Sequence, residues 1–194
     1  MMGPKYGRSS DHPIIRSSEH PIIRTSEHPN IRLRPLQGND AEAQYHLLAD
    51  GRVSPTTATI PFPYHEHHAR VWIQSVLDRQ PISLKCRVLA IECLDTGNLV
   101  GIISVQDDAP RIGNVAYWVG PSYWGKGIAT EALRLAINQQ WLGEFDSFVG
   151  RHLSSNPASG TVLKKNGFIF AETEWREWRN DGLRELQVYR NCLK

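Results

Sequence analysis

Apolar residues in the middle of the chain change from one spacing to another, and this change predicts a strand followed by a helix. Val115 to Val119 has the composition of a strand. Beyond a glycine-containing stretch, apolar residues recur every three or four positions, which is the period of an amphipathic helix: Ala129, Ala132, Leu133, Ala136 and Ile137. The sequence therefore predicts a strand, a tight turn and a helix, with Gly125 and Gly127 in the turn.

The same kinds of pattern predict the elements on either side of this unit. Strands are expected at residues 31–36, 84–94, 99–105, 147–153, 168–176 and 183–191, with hairpin turns at 95–98 and 180–182. A capping-box pattern opens the first helix at residues 39–42, and the second helix has an apolar stripe that includes Trp72 and Ile73. A short helix from Pro157 to Lys165 has Asn156 at its N-cap. Residues 107–113 are interpreted as a connection, and the predicted order is β, α, α, β, β, β, α, β, α, β, β.

The chain begins with an octapeptide that occurs three times between residues 9 and 32, each copy containing a His-Pro step. So short a period with so few apolar residues cannot build a core, so residues 1–29 are predicted to be a disordered tail. Metal binding by the three histidines is a weaker alternative, since nothing fixes their mutual geometry. Residues 30–194 are then expected to form one domain.

Composition limits the class of protein. The chain has 194 residues, of which 40% are hydrophobic, and a net charge of +2. These values favour a single domain without a nucleic-acid surface. Neither a signal peptide nor an apolar run of membrane-spanning length is found, so no membrane association and a cytoplasmic location are expected. The three cysteines, Cys86, Cys93 and Cys192, lack metal-binding spacing and are interpreted as half-buried thiols in strands.

The central turn and a histidine cluster are the first candidates for chemistry. Gly125 and Gly127 remove two β-carbons where the helix begins, so an anion can approach the unpaired N–H groups there. An ordinary tight turn is the plainer alternative. A P-loop is a third, but Gly127 stands where that motif needs a serine or threonine for Mg²⁺. The histidines between His65 and His68 could bind a metal, but a solvated first helical turn is favoured and no metal is predicted.

Three motifs in the expected order resemble the GNAT superfamily of acetyl-CoA-dependent N-acetyltransferases, and in particular the branch of ribosomal-protein N-terminal acetyltransferases. They are residues 117–132, Asn156-Pro157-Ala158-Ser159 and Lys165-Asn166-Gly167-Phe168. The first departs from the family pattern at Ser122, where a glutamine or arginine is usual. The resemblance covers roughly residues 31–189. It implies an α/β (α+β) fold in which about four helices flank a mixed central sheet that splays to admit the cofactor.

The resemblance also implies the site. Acetyl-CoA would be the co-substrate, bound by Trp118, Val119, Gly120, Trp124, Gly125, Lys126, Gly127, Ile128, Ala129, Asn156, Ser159 and Lys165. The strand from Tyr117 to Gly120 would offer backbone N–H groups to the pantetheine and the thioester carbonyl. Asn156 would hold the pantetheine arm. Many relatives protonate the departing thiolate with a tyrosine, but Leu163 stands at that position, and in the ribosomal-protein branch Ser159 takes the role. Ser159 is therefore the predicted catalytic residue.

The acceptor side is less defined. The resemblance makes Phe62 and Tyr64 candidates for contact with the amine substrate. Relatives often have a glutamate where this chain has Asn114, so the general base is open, with Asp107, Asp108 and Glu172 as candidate carboxylates. An α-amino group has a pKa near ~8 and a lysine near ~10.4, so a protein N-terminus needs less help from a base than a lysine does.

Three functional classes remain open at this stage. The first is an N-acetyltransferase of a protein N-terminus or of a small amine, acting as a monomer or homodimer. The second is a CoA-binding module with weak catalysis, which the missing base favours. The third is a P-loop nucleotide enzyme.

Overall fold

The computed structural model describes residues 29–79, 86–138, 145–179 and 182–192. Several predicted segments lie outside the described residues: the first two octapeptide repeats, the first half of the third, the first two residues of the strand expected at 84–94, and Asn180 and Asp181 of the last hairpin turn. The described part contains seven strands and four α-helices in the predicted order. The strands are β1 (Ile31–Pro35), β2 (Cys86–Cys93), β3 (Leu99–Ala109), β4 (Ile112–Val119), β5 (Ser147–Leu153), β6 (Ile169–Glu177) and β7 (Leu183–Cys192). The helices are α1 (Asp40–Leu48), α2 (Glu66–Arg79), α3 (Ile128–Ile137) and α4 (Pro157–Lys165).

The strands form one mixed sheet that is divided at its centre. Their order is β1-β2-β3-β4-β5-β7-β6, and β4–β5 is the parallel pair. That pairing runs from Ile112 opposite Ser147 to Val115 opposite Gly150 and then stops, although β4 continues to Val119 and β5 to Leu153. The two strands therefore separate over their last residues. This confirms the splayed mixed sheet that the sequence motifs implied.

The hairpin between β3 and β4 is longer than predicted. Residues 107–113 were interpreted as a connection, but Asp107 pairs with Gly113 and Ala109 with Ile112. The turn is limited to Pro110 and Arg111, whose φ is 59°. Two aspartates in a row are poor strand formers, and pairing with the neighbouring strand outweighs that preference.

Each face of the sheet is covered by two helices. Helices α3 and α4 pack on one face, where the core includes Leu133, Val115, Phe148 and Leu163. Helices α1 and α2 cover the other face and form a second core with Leu48, Ile73, Ala90 and Ile102. The core beneath α3 and α4 contains residues from both sides of the β4–β5 split, so the two parts of the sheet share one hydrophobic core on that face.

The capping box expected at the start of α1 does not form, and the acidic residue after the N-cap joins an ion-pair network instead. Asn39 makes no side-chain capping hydrogen bond. Asp40 is 4% exposed and accepts hydrogen bonds from the Arg34 guanidinium at 2.7 and 2.8 Å and from the Gln37 N–H at 2.8 Å. Arg34 also pairs with Glu92 on β2. A buried carboxylate needs such partners, so this network ties α1 to the edge of the sheet.

The two free cysteines differ in exposure. Cys93 is a half-buried free thiol as expected, whereas Cys192 is exposed because it is the last residue of β7 at the rim of the sheet. Among the described helices, none combines the length and apolarity needed to cross a bilayer.

Gly101→Ala is expected to lower the free energy of unfolding by about 1–3 kcal/mol, the usual cost of overpacking. An added Cβ would lie 2.4 Å from the carbonyl oxygen of Trp118 and 3.0 Å from the Val119 Cα, and backbone atoms in a paired strand cannot easily move aside. Gly38→Ala is the matched control, since a Cβ there meets nothing within 4 Å. Urea denaturation of both variants measures the difference, and equal midpoints would contradict this account of the β3–β4 contact.

Candidate active site

The split in the sheet opens into a cleft of about 1770 Å³. Most of the residues predicted for the site line it: Tyr64, Trp118, Val119, Trp124, Gly125, Gly127, Ile128, Ala129, Asn156, Ser159 and Lys165. The cleft reaches both faces of the sheet, since α2 and the loop before it line it together with the starts of α3 and α4. A molecule bound from one face can thus meet a molecule bound from the other.

The turn before α3 is built to leave its backbone open. Gly125 and Gly127 have φ angles of +74° and +75°, a backbone conformation that residues other than glycine rarely adopt. Gly127 occupies the N-cap position of α3, and a Cβ placed on Gly125 would meet nothing within 4 Å. Lys126 and Lys165 line a smaller adjoining pocket of about 270 Å³. Open N–H groups at a helix start beside two lysines favour an anionic ligand.

The end of β4 presents only some of its N–H groups to the split. Gly120 donates its N–H to the Val100 carbonyl at 2.9 Å, toward β3. N–H directions alternate along a strand, so Trp118 also faces β3, and Tyr117 and Val119 face the split. Of the N–H groups that this strand was expected to offer, those of Tyr117 and Val119 are therefore the ones directed to the split. Gly120 instead lies against Leu47 of α1. A Cβ placed on Gly120 would lie 2.4 Å from the Leu47 Cδ2.

Trp124 closes the turn onto β4. Its indole N–H donates to the Val119 carbonyl at 2.6 Å, and the Arg52 guanidinium lies 5.8 Å from its ring centre. The ring is 48% exposed and lines the cleft. This contact joins the glycine turn to the split strand.

Ser159 lies in the first turn of α4 and contacts the side chain of Tyr117 on β4. The phenol oxygen of Tyr117 is 3.0 Å from the Ser159 carbonyl oxygen, to which it donates, and 3.0 Å from the Ser159 Oγ. Burial raises the pKa of Tyr117, so the phenol keeps its proton at neutral and mildly alkaline pH. Side chains alternate between the two faces of a strand, so Tyr117 lies on the same face as Val115 and Val119. This alternation was the sequence signal that could have identified Tyr117 as a site residue.

At the α4 position where many relatives carry a tyrosine, this chain has Leu163, which packs against Gly150 of β5. Leu163 is 1% exposed, and its Cδ2 lies 2.4 Å from where a Gly150 Cβ would be. Its side chain is part of the core beneath the cleft. A hydroxyl reaches this region from β4 instead, through Tyr117.

Polar residues cluster on the opposite face of the sheet, around Arg151 of β5. Its guanidinium bonds the two carboxylate oxygens of Asp108 at 2.8 and 3.1 Å and the amide oxygen of Asn114 at 3.0 Å. The Arg151 Nε also lies 3.1 Å from Glu174. Arg151, Asp108 and Asn114 line the cleft. Glu174 was missed because its position depends on β6 pairing outside β7, which no local pattern shows.

The other candidate bases lie away from this cluster. Asp107 is exposed and does not line the cleft. Glu172 is 56% exposed and pairs with Arg190 on the outer part of the sheet. Of the three carboxylates named from the sequence, Asp108 is the one that the fold brings to the cleft.

The two residues predicted to contact the acceptor are separated by the fold. Tyr64 lines the cleft, is 5% exposed, and accepts a hydrogen bond from the Gln44 side chain at 2.8 Å. Phe62 is 65% exposed, does not line the cleft and lies against Gly51. Only Tyr64 is therefore placed to touch a molecule in the cleft.

The histidine cluster at the start of α2 is organised by hydrogen bonding. The His65 N–H donates to the His68 Nδ1 at 3.0 Å, and the His67 and His68 rings are 4.0 Å apart. Across the described ranges, no group of three or more His, Cys, Asp or Glu side chains could hold a metal ion.

Asn156→Ala is expected to change the free energy of unfolding by less than the roughly 1 kcal/mol that a capping side chain usually contributes. Asn156 occupies the N-cap position of α4, but its side chain makes no capping hydrogen bond there. The residue lines the cleft, so its amide is available to a ligand. Thermal denaturation of the unliganded protein measures this, and a loss well above 1 kcal/mol would restore the capping role.

A mixed sheet split between two central strands, with an open glycine turn and a helix start at the split, defines the acetyltransferase class of α/β proteins. The protein family described as "Acetyltransferase (GNAT) domain" matches residues 30–169 of this chain, and the chain belongs to this family. The alternative of a P-loop nucleotide enzyme is therefore wrong.

Individual relatives agree with this assignment. The chain is 32% identical over 99 residues to the ribosomal-protein-serine acetyltransferase of Escherichia coli K12, a match that covers 49% of this chain and 55% of the relative. The chain thus spans about half the length of that curated relative.

Two solved structures share the fold. One is the ribosomal L7/L12 alpha-N-protein acetyltransferase RimL in complex with coenzyme A (TM-score 0.76, 19% identity, 89% of this chain and 98% of the other covered). The other is the microcin C7 self immunity acetyltransferase MccE in complex with acetyl-CoA and AMP (TM-score 0.74, 23% identity, 87% and 94% covered).

Proposed function

We propose that this protein transfers an acetyl group from acetyl-CoA to a primary amine, and that the amine is the α-amino group of a protein N-terminus. The observation that carries the proposal is the split between β4 and β5, with an open glycine turn on one face and a cleft to the other. Such a split lets the two substrates meet directly in a ternary complex. The relative named as a ribosomal-protein-serine acetyltransferase supports the acceptor class.

Acetyl-CoA would be held by the residues around the α3 turn. The glycine turn and the first N–H groups of α3 suit the pyrophosphate, and Lys126 and Lys165 offset phosphate charge. The N–H groups of Tyr117 and Val119 face the split, where the pantetheine amides and the thioester carbonyl would lie. Asn156, which caps nothing, is free to bind the pantetheine arm.

The leaving group would be protonated by the pair of hydroxyls at α4. The amine nitrogen attacks the thioester carbon, the C–S bond breaks, and the sulfur takes a proton from the Ser159 hydroxyl. Tyr117, 3.0 Å from the Ser159 Oγ, can return a proton to the Ser159 oxygen and take one from solvent in turn, while solvent receives the proton that the amine nitrogen loses, so both hydroxyls end as they began. The start of α4 also favours developing negative charge on the sulfur.

The state of the amine favours an α-amino acceptor over a lysine. With a pKa near ~8, roughly a tenth of α-amino groups are neutral at pH 7, against fewer than one in a thousand lysines. Asp108 forms a two-point ion pair with Arg151, so both of its carboxylate oxygens already accept hydrogen bonds within the protein. An acceptor that needs little deprotonation suits this site, with the final proton passing to solvent.

An acceptor screen with detection of free CoA tests the proposal. The acceptors are peptides with a free N-terminal serine or alanine, the same peptides Nα-blocked but containing an internal lysine, and spermidine. We expect turnover with the free N-termini and at least tenfold less with the blocked peptides. Turnover with spermidine alone would assign the protein to small-amine acetylation, and acetyl-CoA binding without turnover on any acceptor would make it a CoA-binding module.

A further inference from the structure

One wall of the cleft is formed by residues 54–60 of the connection between α1 and α2, the 54–60 loop. Its residues from Thr56 to Ile60 line the cleft. Within the loop, a 3₁₀ turn covers Ser54–Thr56, and the Ser54 hydroxyl donates to the Ile60 carbonyl at 2.9 Å. Three carbonyl oxygens of this loop, those of Ser54, Thr57 and Ile60, converge on one cationic group.

That group is the guanidinium of Arg179, which lies more than 100 residues further along the chain. It donates to the carbonyl oxygens of Ser54 at 2.5 Å, Thr57 at 2.6 Å and Ile60, and to the Ser54 hydroxyl at 3.0 Å. These acceptors all belong to the loop and none is a carboxylate. The guanidinium therefore fills the loop as a bound cation would, and links it to the end of β6.

The backbone around Arg179 shows how the guanidinium is aimed. Arg179 has a φ of 56°, which is uncommon for a residue with a side chain and is retained where the surroundings enforce it. The preceding residue, Trp178, is 9% exposed, packs with Leu153 and Leu186, and donates its N–H to the Gly182 carbonyl at 3.0 Å. Arg179 thus projects from an anchored base.

We propose that Arg179 is a positioning residue that holds the 54–60 loop as the acceptor wall of the cleft, and so determines affinity for the acceptor. It is not placed at the Ser159 and Tyr117 hydroxyls or at the α3 turn, so acetyl-CoA binding and acetyl transfer do not depend on it. The inference rests on the proposed function for its kinetic part. Its structural part, that the loop is ordered by Arg179, stands independently.

The test compares Arg179→Met with Arg184→Met, an exposed arginine on the following strand. Amide hydrogen exchange is measured first, without any acceptor. We expect exchange in residues 54–60 to rise at least tenfold in Arg179→Met and to stay unchanged in Arg184→Met, because three carbonyls lose their donor. Unchanged exchange in this loop would overturn the proposal, whatever the acceptor is.

Kinetics then separate positioning from a general loss of structure. With the N-terminal serine peptide as probe, Arg179→Met should raise the KM for the peptide about tenfold, while kcat and the Kd for acetyl-CoA stay within twofold. A parallel loss of acetyl-CoA affinity would show a structural role only. Arg179→Gly, which removes the guanidinium and suits the φ of 56°, should reproduce the KM change if Arg179→Met folds poorly, and a normal KM in that variant would contradict the proposal. If the wild type does not acetylate the peptide, the proposed function fails, and the exchange measurement still decides the role of Arg179.

Discussion

Gly125→Val is expected to abolish measurable acetyl-CoA binding, a loss of at least 100-fold in affinity. A Cβ on Gly125 meets no protein atom within 4 Å, so the added side chain occupies the open space beside the α3 turn, where the pyrophosphate is proposed to lie. Titration calorimetry measures the affinity. Circular dichroism, which should be unchanged, reports whether the fold is kept.

Backbone strain is the competing explanation, and Gly97→Val controls for it. Gly97 has a φ of +69° and also has nothing within 4 Å of its Cβ position, but it lies in the β2–β3 turn. Both variants therefore suffer similar left-handed strain, on the order of 1–2 kcal/mol. Gly97→Val should bind acetyl-CoA normally. Equal loss in both variants, or full affinity in Gly125→Val, would contradict the assignment of the turn.

Ser159→Ala is expected to lower kcat roughly 100-fold with little change in acetyl-CoA affinity. The size follows from general-acid effects, and the Kd is spared because the contact strengthens only as the sulfur gains charge. Single-turnover kinetics measure the chemical step apart from product release. Ser155→Ala, an exposed serine just before α4, is the matched control and should retain wild-type kcat.

Tyr117→Phe tests whether the two hydroxyls act together. If Tyr117 returns the proton to Ser159, its loss should lower kcat, and the double variant should be no slower than Ser159→Ala alone. Multiplicative effects in the double variant would show that the two act independently. Wild-type kcat in Ser159→Ala would remove the pair from the mechanism and leave solvent as the proton donor.

Sequence patterns were sufficient where one element's own residues decide the outcome. The helical spacing after Ala129 and the glycines at 125 and 127 are local signals, and the structure has α3 and its left-handed turn there. The order of strands and helices was predicted for the same reason. Spaced motifs at residues 117–132 and 156–168 implied the family, which the match over residues 30–169 shows.

The incorrect expectations concern residues whose partners lie on other elements. A capping box was predicted at residues 39–42, but Asn39 makes no side-chain capping hydrogen bond, and Asp40 beside it pairs with Arg34 of β1. Residues 107–113 were interpreted as a loop, but pairing with the neighbouring strand extends them as strand. For residues 107–113, pairing between the two strands outweighed a local preference of a few tenths of a kcal/mol to about 1 kcal/mol.

The order of the elements, the glycine turn and the family could be read from residue spacing within short stretches. Which functional groups meet depends on the folded domain: Tyr117 contacts Ser159, Arg151 contacts Asp108 and Glu174, and Arg179 contacts the 54–60 loop. These contacts depend on the order of strands in the sheet and on where the β4–β5 pairing stops. Neither feature has a local signature, since the pairing of one strand with another is set by the packing of the whole domain.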